Sequence, residues 1–155
     1  MARSDVVVME LGTDAPHAPL DDPLSGLPGY LLRRAANAMM AELAIRLAAL
    51  ELRISEATVL LLLGGRTDLT SSDIGKILDI QRANMVPLLA RLEAAGLIRR
   101  EPLDRKSQAI LLTDDGRTSR AQVETLTREF ENDLLARIPS EHRPHLVPAL
   151  QALLR

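Results

Sequence analysis

The sequence of 155 residues contains no cysteine, and this absence excludes several classes of protein at once. Without thiols the chain has no disulfide scaffold, thiolate zinc site, iron–sulfur cluster or cysteine nucleophile. Tryptophan is also absent, and the only aromatic residues are Tyr30 and Phe130. The chain therefore lacks the aromatic platforms on which proteins stack single-stranded nucleic acid.

The sequence also has little net charge and no long hydrophobic run. Its 19 basic and 21 acidic residues give a formal charge of -2, which does not by itself favour a nucleic acid as partner. The apolar stretch 57–65 is far shorter than the ~20 residues of a transmembrane helix. The N-terminal residues lack the core of a signal peptide. We therefore expect a cytoplasmic protein with no membrane partner.

What the sequence does contain predicts a mainly α fold. Leu and Ala, which both favour helices, account for about a third of the residues. Apolar residues recur at helical spacing over 27–53 and again over 114–155, so we expect long helices in both regions. Residues 1–26 contain three prolines and predict an N-terminal extension that is partly mobile.

Shorter elements are expected between these regions, over residues 54–113. Ser55 is the candidate N-cap of a buried helix that ends at Gly64-Gly65. The segment 70–73 has the pattern of a capping box and opens a short helix, and a second helix follows over 82–95. The residues expected to face inward from these two helices are Ile74, Ile77, Leu78, Val86, Leu89 and Leu92.

Two strand-like segments, 97–100 and 108–112, flank a polar turn and predict a hairpin with a charged tip. Helix, turn, helix and hairpin in this order form a winged helix-turn-helix. In that architecture the second helix enters the major groove, and the hairpin contacts phosphates or the minor groove. The candidate DNA-contacting residues are Gln81, Arg82, Asn84, Met85, Arg105, Lys106 and Ser107.

The charge distribution leaves two functions open. Residues 66–106 contain eight basic and six acidic residues, so this segment carries +2 and the remainder of the chain -4. The local excess favours double-stranded DNA as the partner, but it is small. The alternative is a winged-helix adaptor dimer that binds proteins and not DNA.

Two motifs resemble the multiple-antibiotic-resistance regulator (MarR) family. One is Leu92-Glu93-x-x-Gly96-Leu97, and the other is the hairpin tip 104–107 followed by Leu112-Thr113-x-x-Gly116. The resemblance covers about residues 27–154. It implies a homodimer joined through its first and last helices, usually a repressor of a pseudo-palindromic operator. It further implies release by a small molecule bound between the dimerisation helices and the DNA-binding domain.

The sequence departs from the family's pattern at four positions. Pro87 removes the hydrogen bond to the Ala83 carbonyl and should tighten or kink the start of the second helix. Pro144 and Pro148 should disturb the last helix in the same way. Lys106 stands where the family commonly has arginine, so a bidentate contact becomes a point charge.

The candidate effector-binding residues are Tyr30, Arg33, Arg34 and Asn37. They lie in the first turns of the first long helix, and residues 30–35 are similar to MarR members that sense aromatic acids. An arginine in a dimer cleft can bind a ligand carboxylate through two hydrogen bonds. The resemblance therefore suggests a phenolic or aromatic carboxylate effector. The alternative is an exposed cluster of salt-bridging side chains.

No group of residues indicates catalysis or a metal site. Gly64-Gly65 lacks the further glycines and the lysine of a phosphate-binding loop. His142 and His145 have a spacing that can bind a metal, but they lack further ligands and are interpreted as surface residues. His17 lies in the N-terminal extension. We therefore expect no enzymatic activity, metal or cofactor.

Overall fold

The structure is a computed structural model, and it describes residues 22–154. Within this range the chain forms six helices and one antiparallel hairpin, which confirms the predicted mainly α fold. The elements in chain order are α1 Pro28–Ala48, α2 Ile54–Leu62, α3 Ser71–Ile77, α4 Arg82–Ala94, β1 Ile98–Pro102, β2 Gln108–Leu112, α5 Asp114–Ala136 and α6 Arg143–Ala152.

The chain divides into two units between Ala35 and Ala36, inside α1. The expected N-terminal extension lies mostly outside the described residues, since only 22–26 of it are placed. Among residues 22–154, no helix is both long enough and apolar enough to cross a membrane.

The hydrophobic core of the larger unit surrounds α2, as its apolar sequence predicts. Val59 and Leu60 are completely buried, and Gly65 follows the helix with a left-handed φ of 74°. The side chains that surround α2 in this core include Leu47, Ile74, Met85, Leu89, Leu92, Ile98, Ile110 and Val123.

The predicted cap of α2 was wrong. The helix begins at Ile54, with Arg53 and not Ser55 as its N-cap. The Glu56 carboxylate accepts a hydrogen bond from the Arg53 N–H at 2.8 Å, so a side chain in the first turn, and not the serine, satisfies a free donor at the helix start.

Two residues expected to face inward are exposed. Val86 is 61% exposed, because the buried stripe of α4 passes through Met85 and Leu89 and leaves Val86 rotated by about 100° from it. Ile77 is also exposed, because α3 is only seven residues long and buries a single side chain, Ile74.

The prolines disturb their helices less than expected. α4 continues through Pro87 to Ala94. The Gln81 carbonyl accepts from the Asn84 N–H at 2.9 Å and from the Met85 N–H at 3.1 Å, a shared acceptor that is common at helix ends. In α6, Pro144 lies in the first turn, where a missing N–H costs nothing, and the helix also continues through Pro148.

The hairpin, called the wing from here on and comprising residues 98–112, is tied to the start of α3. Its register pairs Ile98 with Leu112 and Pro102 with Gln108. Ala109 also forms a bridge with Thr70, and the Ile110 N–H donates to the Leu69 carbonyl at 2.8 Å. The segment just before α3 thus pairs with β2 like a very short third strand and holds the wing beside α3.

The start of α5 packs directly against the turn between α4 and the wing. Thr113 caps α5, its hydroxyl accepting from the Gly116 N–H at 2.9 Å and donating to the Gly96 carbonyl at 2.6 Å. Gly96 has a φ of 72°, which suits glycine. A Cβ atom at Gly116 would overlap the Leu97 carbonyl oxygen. These contacts explain why threonine and glycine stand three residues apart.

Charged side chains join the second half of α1 to α5. Arg46 contacts Glu42 at 2.6 Å and Asp133 at 2.7 Å, and Arg137 contacts Glu42 at 2.7 Å. The hydrogen bonds from Arg137 and then Arg46 lower the pKa of the Glu42 carboxyl. The Arg46 guanidinium also lies 5.3 Å from the centre of the Phe130 ring.

We expect Gly116→Ala to lower the free energy of unfolding by ~1–3 kcal/mol, because the new methyl group overlaps the Leu97 carbonyl. Urea denaturation followed by circular dichroism measures this change. Gly29→Ala is the matched control, since a Cβ at Gly29 meets no atom within 4 Å. The control should be neutral or slightly stabilising, and an equal destabilisation in both variants would contradict the packing argument.

Candidate nucleic-acid interface

A groove of about 620 Å³ lies between the start of α3, the first turn of α4 and the wing. Four basic residues line it, and the lining set includes no Asp or Glu. The lining residues are Thr70, Ser71, Ser72, Gly75, Lys76, Ile80, Arg82, Met85, Arg100, Lys106, Ser107, Gln108 and Ile110. This groove is a concave cationic surface in a chain whose net charge is negative.

The predicted capping box at the start of α3 is confirmed and shapes one wall of the groove. The Asp73 carboxylate accepts from the Thr70 hydroxyl at 2.6 Å and from the Thr70 N–H at 3.0 Å. These hydrogen bonds lower the pKa of the Asp73 carboxyl. Asp73 is therefore an anion held by the backbone next to the groove, and it is not among the lining residues.

The tip of the wing is organised by Asp104. Its Oδ1 atom accepts from the N–H groups of Lys106 at 2.7 Å and Ser107 at 2.8 Å. The nearby Ser107 hydroxyl and these N–H groups lower the pKa of the Asp104 carboxyl. The turn leaves the side chains of Arg105 and Lys106 exposed at the tip.

Most of the residues predicted to contact DNA are exposed near this groove. Gln81 is the N-cap of α4, and Arg82 and Asn84 are exposed in its first turn, whereas Ser107 is half-buried. Met85 differs from these residues, because it is 1% exposed and packs in the core with the rest of the buried stripe of α4. It also forms part of the groove lining, and its contact with DNA stays a prediction.

Lys76 and Arg100 line the groove but were missed by sequence reasoning. Lys76 lies on α3 and Arg100 on β1, where it also contacts Glu93 at 3.1 Å. The local pattern gives no reason to group them with Arg82. Tertiary contacts, among them the bridge between Thr70 and Ala109, bring their elements to the same surface.

An ion pair between a nearly buried glutamate and a partly exposed arginine holds α4, called the recognition helix from here on, against α2. Glu56 is 6% exposed, and its Oε1 atom accepts from the Arg91 Nε–H at 2.7 Å while Oε2 accepts from the Arg53 N–H. Glu56 and Arg91 are 35 residues apart, so no local pattern indicated the pair. One carboxylate thus fixes both the start of α2 and the position of the recognition helix.

A second cavity, of about 730 Å³, lies between the second half of α1, the start of α2 and the turn after α3. Its lining is mostly apolar and consists of Met40, Ala44, Ala48, Leu52, Arg53, Ile54, Ser55, Thr58, Leu78 and Ile80. We call it the α1–α2 cavity.

The candidate effector residues at the start of α1 are engaged with one another. The Tyr30 hydroxyl donates to Asp22 Oδ2 at 3.2 Å, and Arg34 contacts the same oxygen at 3.2 Å. The guanidinium groups of Arg33 and Arg34 lie 5.5 and 5.7 Å from the centre of the Tyr30 ring. Asn37 is exposed further along the helix. The cluster thus carries an exposed salt bridge, and its role towards a ligand stays a prediction.

The histidines give no sign of a metal site in the described part of the chain. His142 is the N-cap of α6 and His145 lies in its first turn, both exposed, and no group of three or more possible ligands occurs among residues 22–154. His17 lies outside the described residues.

We expect Arg91→Ala to destabilise the protein by ~1–3 kcal/mol, because it leaves a nearly buried carboxylate without its charged partner. Arg66→Ala is the matched control, since it removes an arginine from an exposed pair with Asp68. The urea concentration at the unfolding midpoint of Arg66→Ala should stay close to that of the wild type. A destabilisation no larger in Arg91→Ala than in this control would contradict the structural role of the pair.

Comparison with known proteins supports the family suggested by the two motifs. A family model described as "MarR family" matches residues 50–107. The HTH-type transcriptional regulator TtmR of Methylorubrum extorquens is 33% identical over 122 residues, which are 77% of this chain and 60% of TtmR. Across the curated relatives that it matches, the chain spans between 54% and 60% of their length.

The chain is also similar to solved structures, and it covers a larger share of their length than of the curated relatives. The transcriptional repressor CouR bound to a 23-mer DNA duplex is 32% identical, with a TM-score of 0.77 over 85% of this chain and 95% of CouR. CouR bound to p-coumaroyl-CoA is 30% identical, with a TM-score of 0.77 over 85% and 94%. The Mycobacterium tuberculosis MarR family protein Rv2887 in complex with p-aminosalicylic acid is 26% identical, with a TM-score of 0.66 over 83% and 98%.

These relatives are transcriptional regulators and not enzymes, in agreement with the absence of a catalytic set from the sequence. The winged helix-turn-helix, the two motifs and the similarity to CouR over nearly its whole length lead to one conclusion. The chain belongs to the MarR family of transcriptional regulators.

Proposed function

We propose that the protein is a ligand-responsive repressor that binds a pseudo-palindromic operator as a homodimer. The observation that carries this proposal is the groove between α3, the recognition helix and the wing, which is lined by Lys76, Arg82, Arg100 and Lys106 and by no acidic residue. Such a cationic surface is complementary to a polyanion. CouR, a repressor solved on a DNA duplex, supports the same function.

Within this proposal the residues have separate roles. Gln81, Arg82 and Asn84 present hydrogen-bonding groups from the start of the recognition helix to base edges in the major groove. Arg105, Lys106 and Ser107 place the wing tip on phosphates or in the adjacent minor groove. The two helices of a dimer would lie one DNA turn apart, about 34–36 Å. A 23-mer, the duplex bound by CouR, is long enough for two such half-sites.

The exposed apolar surface of the helices outside the winged helix supports the homodimer. α6 has no buried residue. Leu150 on α6, and Leu153 and Leu154 directly after it, are at least 40% exposed, and Ile45 on α1 is exposed as well. Apolar surface of this kind is stabilised by burial against another copy.

The proposed effector is a small phenolic or aromatic carboxylate-like compound that lowers DNA affinity. Rv2887 was solved with p-aminosalicylic acid and CouR with p-coumaroyl-CoA, and both ligands contain an aromatic ring. The α1–α2 cavity has the size and apolar lining of a ligand pocket. A compound that prefers a dimer with a different spacing of its recognition helices releases the operator by shifting the population. A repressor of this kind acts in the cytoplasm.

We expect Arg105→Ala and Lys106→Ala each to weaken duplex binding and to flatten its dependence on salt. The slope of log K against log salt concentration should fall by ~1 for each phosphate that is no longer neutralised, hence by ~2 per substitution in a homodimer. Gel-shift titrations at several salt concentrations measure the slope, with the exposed Arg128→Ala on α5 as control. If no salt-dependent duplex binding is found for the wild type, the adaptor function is favoured instead.

We expect p-coumaroyl-CoA or p-aminosalicylic acid to raise the melting temperature of the free protein and to lower its affinity for the duplex. Ala44→Leu, which fills the α1–α2 cavity, should abolish the thermal shift, whereas Ala38→Leu on the same helix should retain it. If instead the double variant Arg33→Ala, Arg34→Ala abolishes the shift and Ala44→Leu does not, the arginine cluster is the effector site. A shift unaffected in all these variants would contradict both locations.

A further inference from the structure

One outward face of the recognition helix has no hydrogen-bonding side chain at four successive positions. Ala83, Val86, Pro87 and Ala90 are all exposed, and they recur at the spacing of one helix face. Val86 alone is 61% exposed, so a branched apolar side chain is presented to the outside where the sequence pattern had placed it in the core. A helix that read bases only by hydrogen bonds would carry polar residues at these positions.

The surroundings of Val86 indicate what covers it. Val86 lies four residues after Arg82, so the two side chains lie on the same side of the recognition helix, one turn apart. Arg82 lines the groove with Lys76, Arg100 and Lys106, and no acidic residue lines that groove. An apolar side chain beside a row of cations is complementary to a polyanion that also carries apolar groups, and this description fits the major groove of duplex DNA.

Only one base edge in the major groove presents an apolar group. The C5-methyl of thymine projects into it, whereas adenine, guanine and cytosine present hydrogen-bond donors and acceptors. A valine placed against a polar edge would desolvate a donor or acceptor without replacing its hydrogen bond. A valine that faced a pyrimidine in the major groove would therefore distinguish thymine from cytosine.

We propose that Val86 is a specificity-determining residue that selects a thymine in each half-site through contact with the thymine methyl group. The inference rests on the proposed DNA binding and extends it from general affinity to a particular base. The small side chains of Ala83 and Ala90 let the helix approach the groove floor closely enough for this contact. Arg82 and the wing supply charge, and Val86 supplies discrimination.

The experiment begins with duplexes selected by the full-length wild-type protein from a random pool. In the selected duplex each thymine is replaced singly by deoxyuridine, which lacks the methyl group and leaves the hydrogen-bonding edge unchanged. We expect one replacement in each half-site to weaken binding about fourfold, since burial of one CH2 group is worth ~0.8 kcal/mol. Fluorescence anisotropy titrations measure the ratio of dissociation constants.

Val86→Ala tests whether this residue makes the contact. Val86 is exposed, so the variant should keep the wild-type melting temperature, bind the thymine duplex more weakly and lose the preference for thymine over deoxyuridine at that one position. Val147→Ala, which truncates an exposed valine on α6, should keep the wild-type ratio.

The outcomes separate this inference from the proposed function. If the pool yields no bound duplex, DNA binding itself is overturned. If a duplex is selected but no single deoxyuridine weakens binding, or if Val86→Ala keeps the wild-type ratio, the thymine contact is overturned while DNA binding stands. A ratio that falls in Val86→Ala and persists in Val147→Ala supports the contact.

Discussion

The arrangement of the proposed DNA-binding surface depends on one nearly buried carboxylate. Glu56 bonds the Arg53 N–H at the start of α2 and the Arg91 guanidinium on the recognition helix. A carboxylate with little water around it is costly unless its partners stay in place, so this contact tolerates few alternative positions of α4. The same start of α2 lines the α1–α2 cavity through Ile54 and Ser55. The proposed effector and DNA surfaces therefore share one polar anchor.

Two contacts set the width of the groove in the proposed DNA-binding surface. The bridge between Thr70 and Ala109 holds the wing beside α3, and the Glu56 pair holds the recognition helix on α2. Between them the basic side chains face a common space while Asp73 and Asp104 are occupied by backbone N–H groups. These two acidic residues stabilise the backbone around the groove and do not line it. A chain of net negative charge can therefore present a cationic groove.

Much of the fold was predictable because it is encoded locally. The capping box at Thr70, the hairpin around the tip 103–107 and the threonine cap of α5 follow from spacing and turn chemistry. The errors arose where tertiary packing decides. Met85 and Val86 are neighbours in sequence, and only the direction of the core tells which is buried. Likewise, Lys76 and Arg100 join the groove through a strand bridge that no local pattern reveals.

The Thr113 cap couples any tilt of α5 to the turn that precedes the wing. The helix has 23 residues, so at 1.5 Å per residue it is about 35 Å long. Its N-cap, Thr113, is hydrogen-bonded directly to the turn at Gly96 and Leu97. By geometry, a tilt of ~5° about its far end displaces its start by ~3 Å, close to the ~3.4 Å rise of a base pair. A small tilt of α5 thus moves its start by about the spacing of one base pair in duplex DNA.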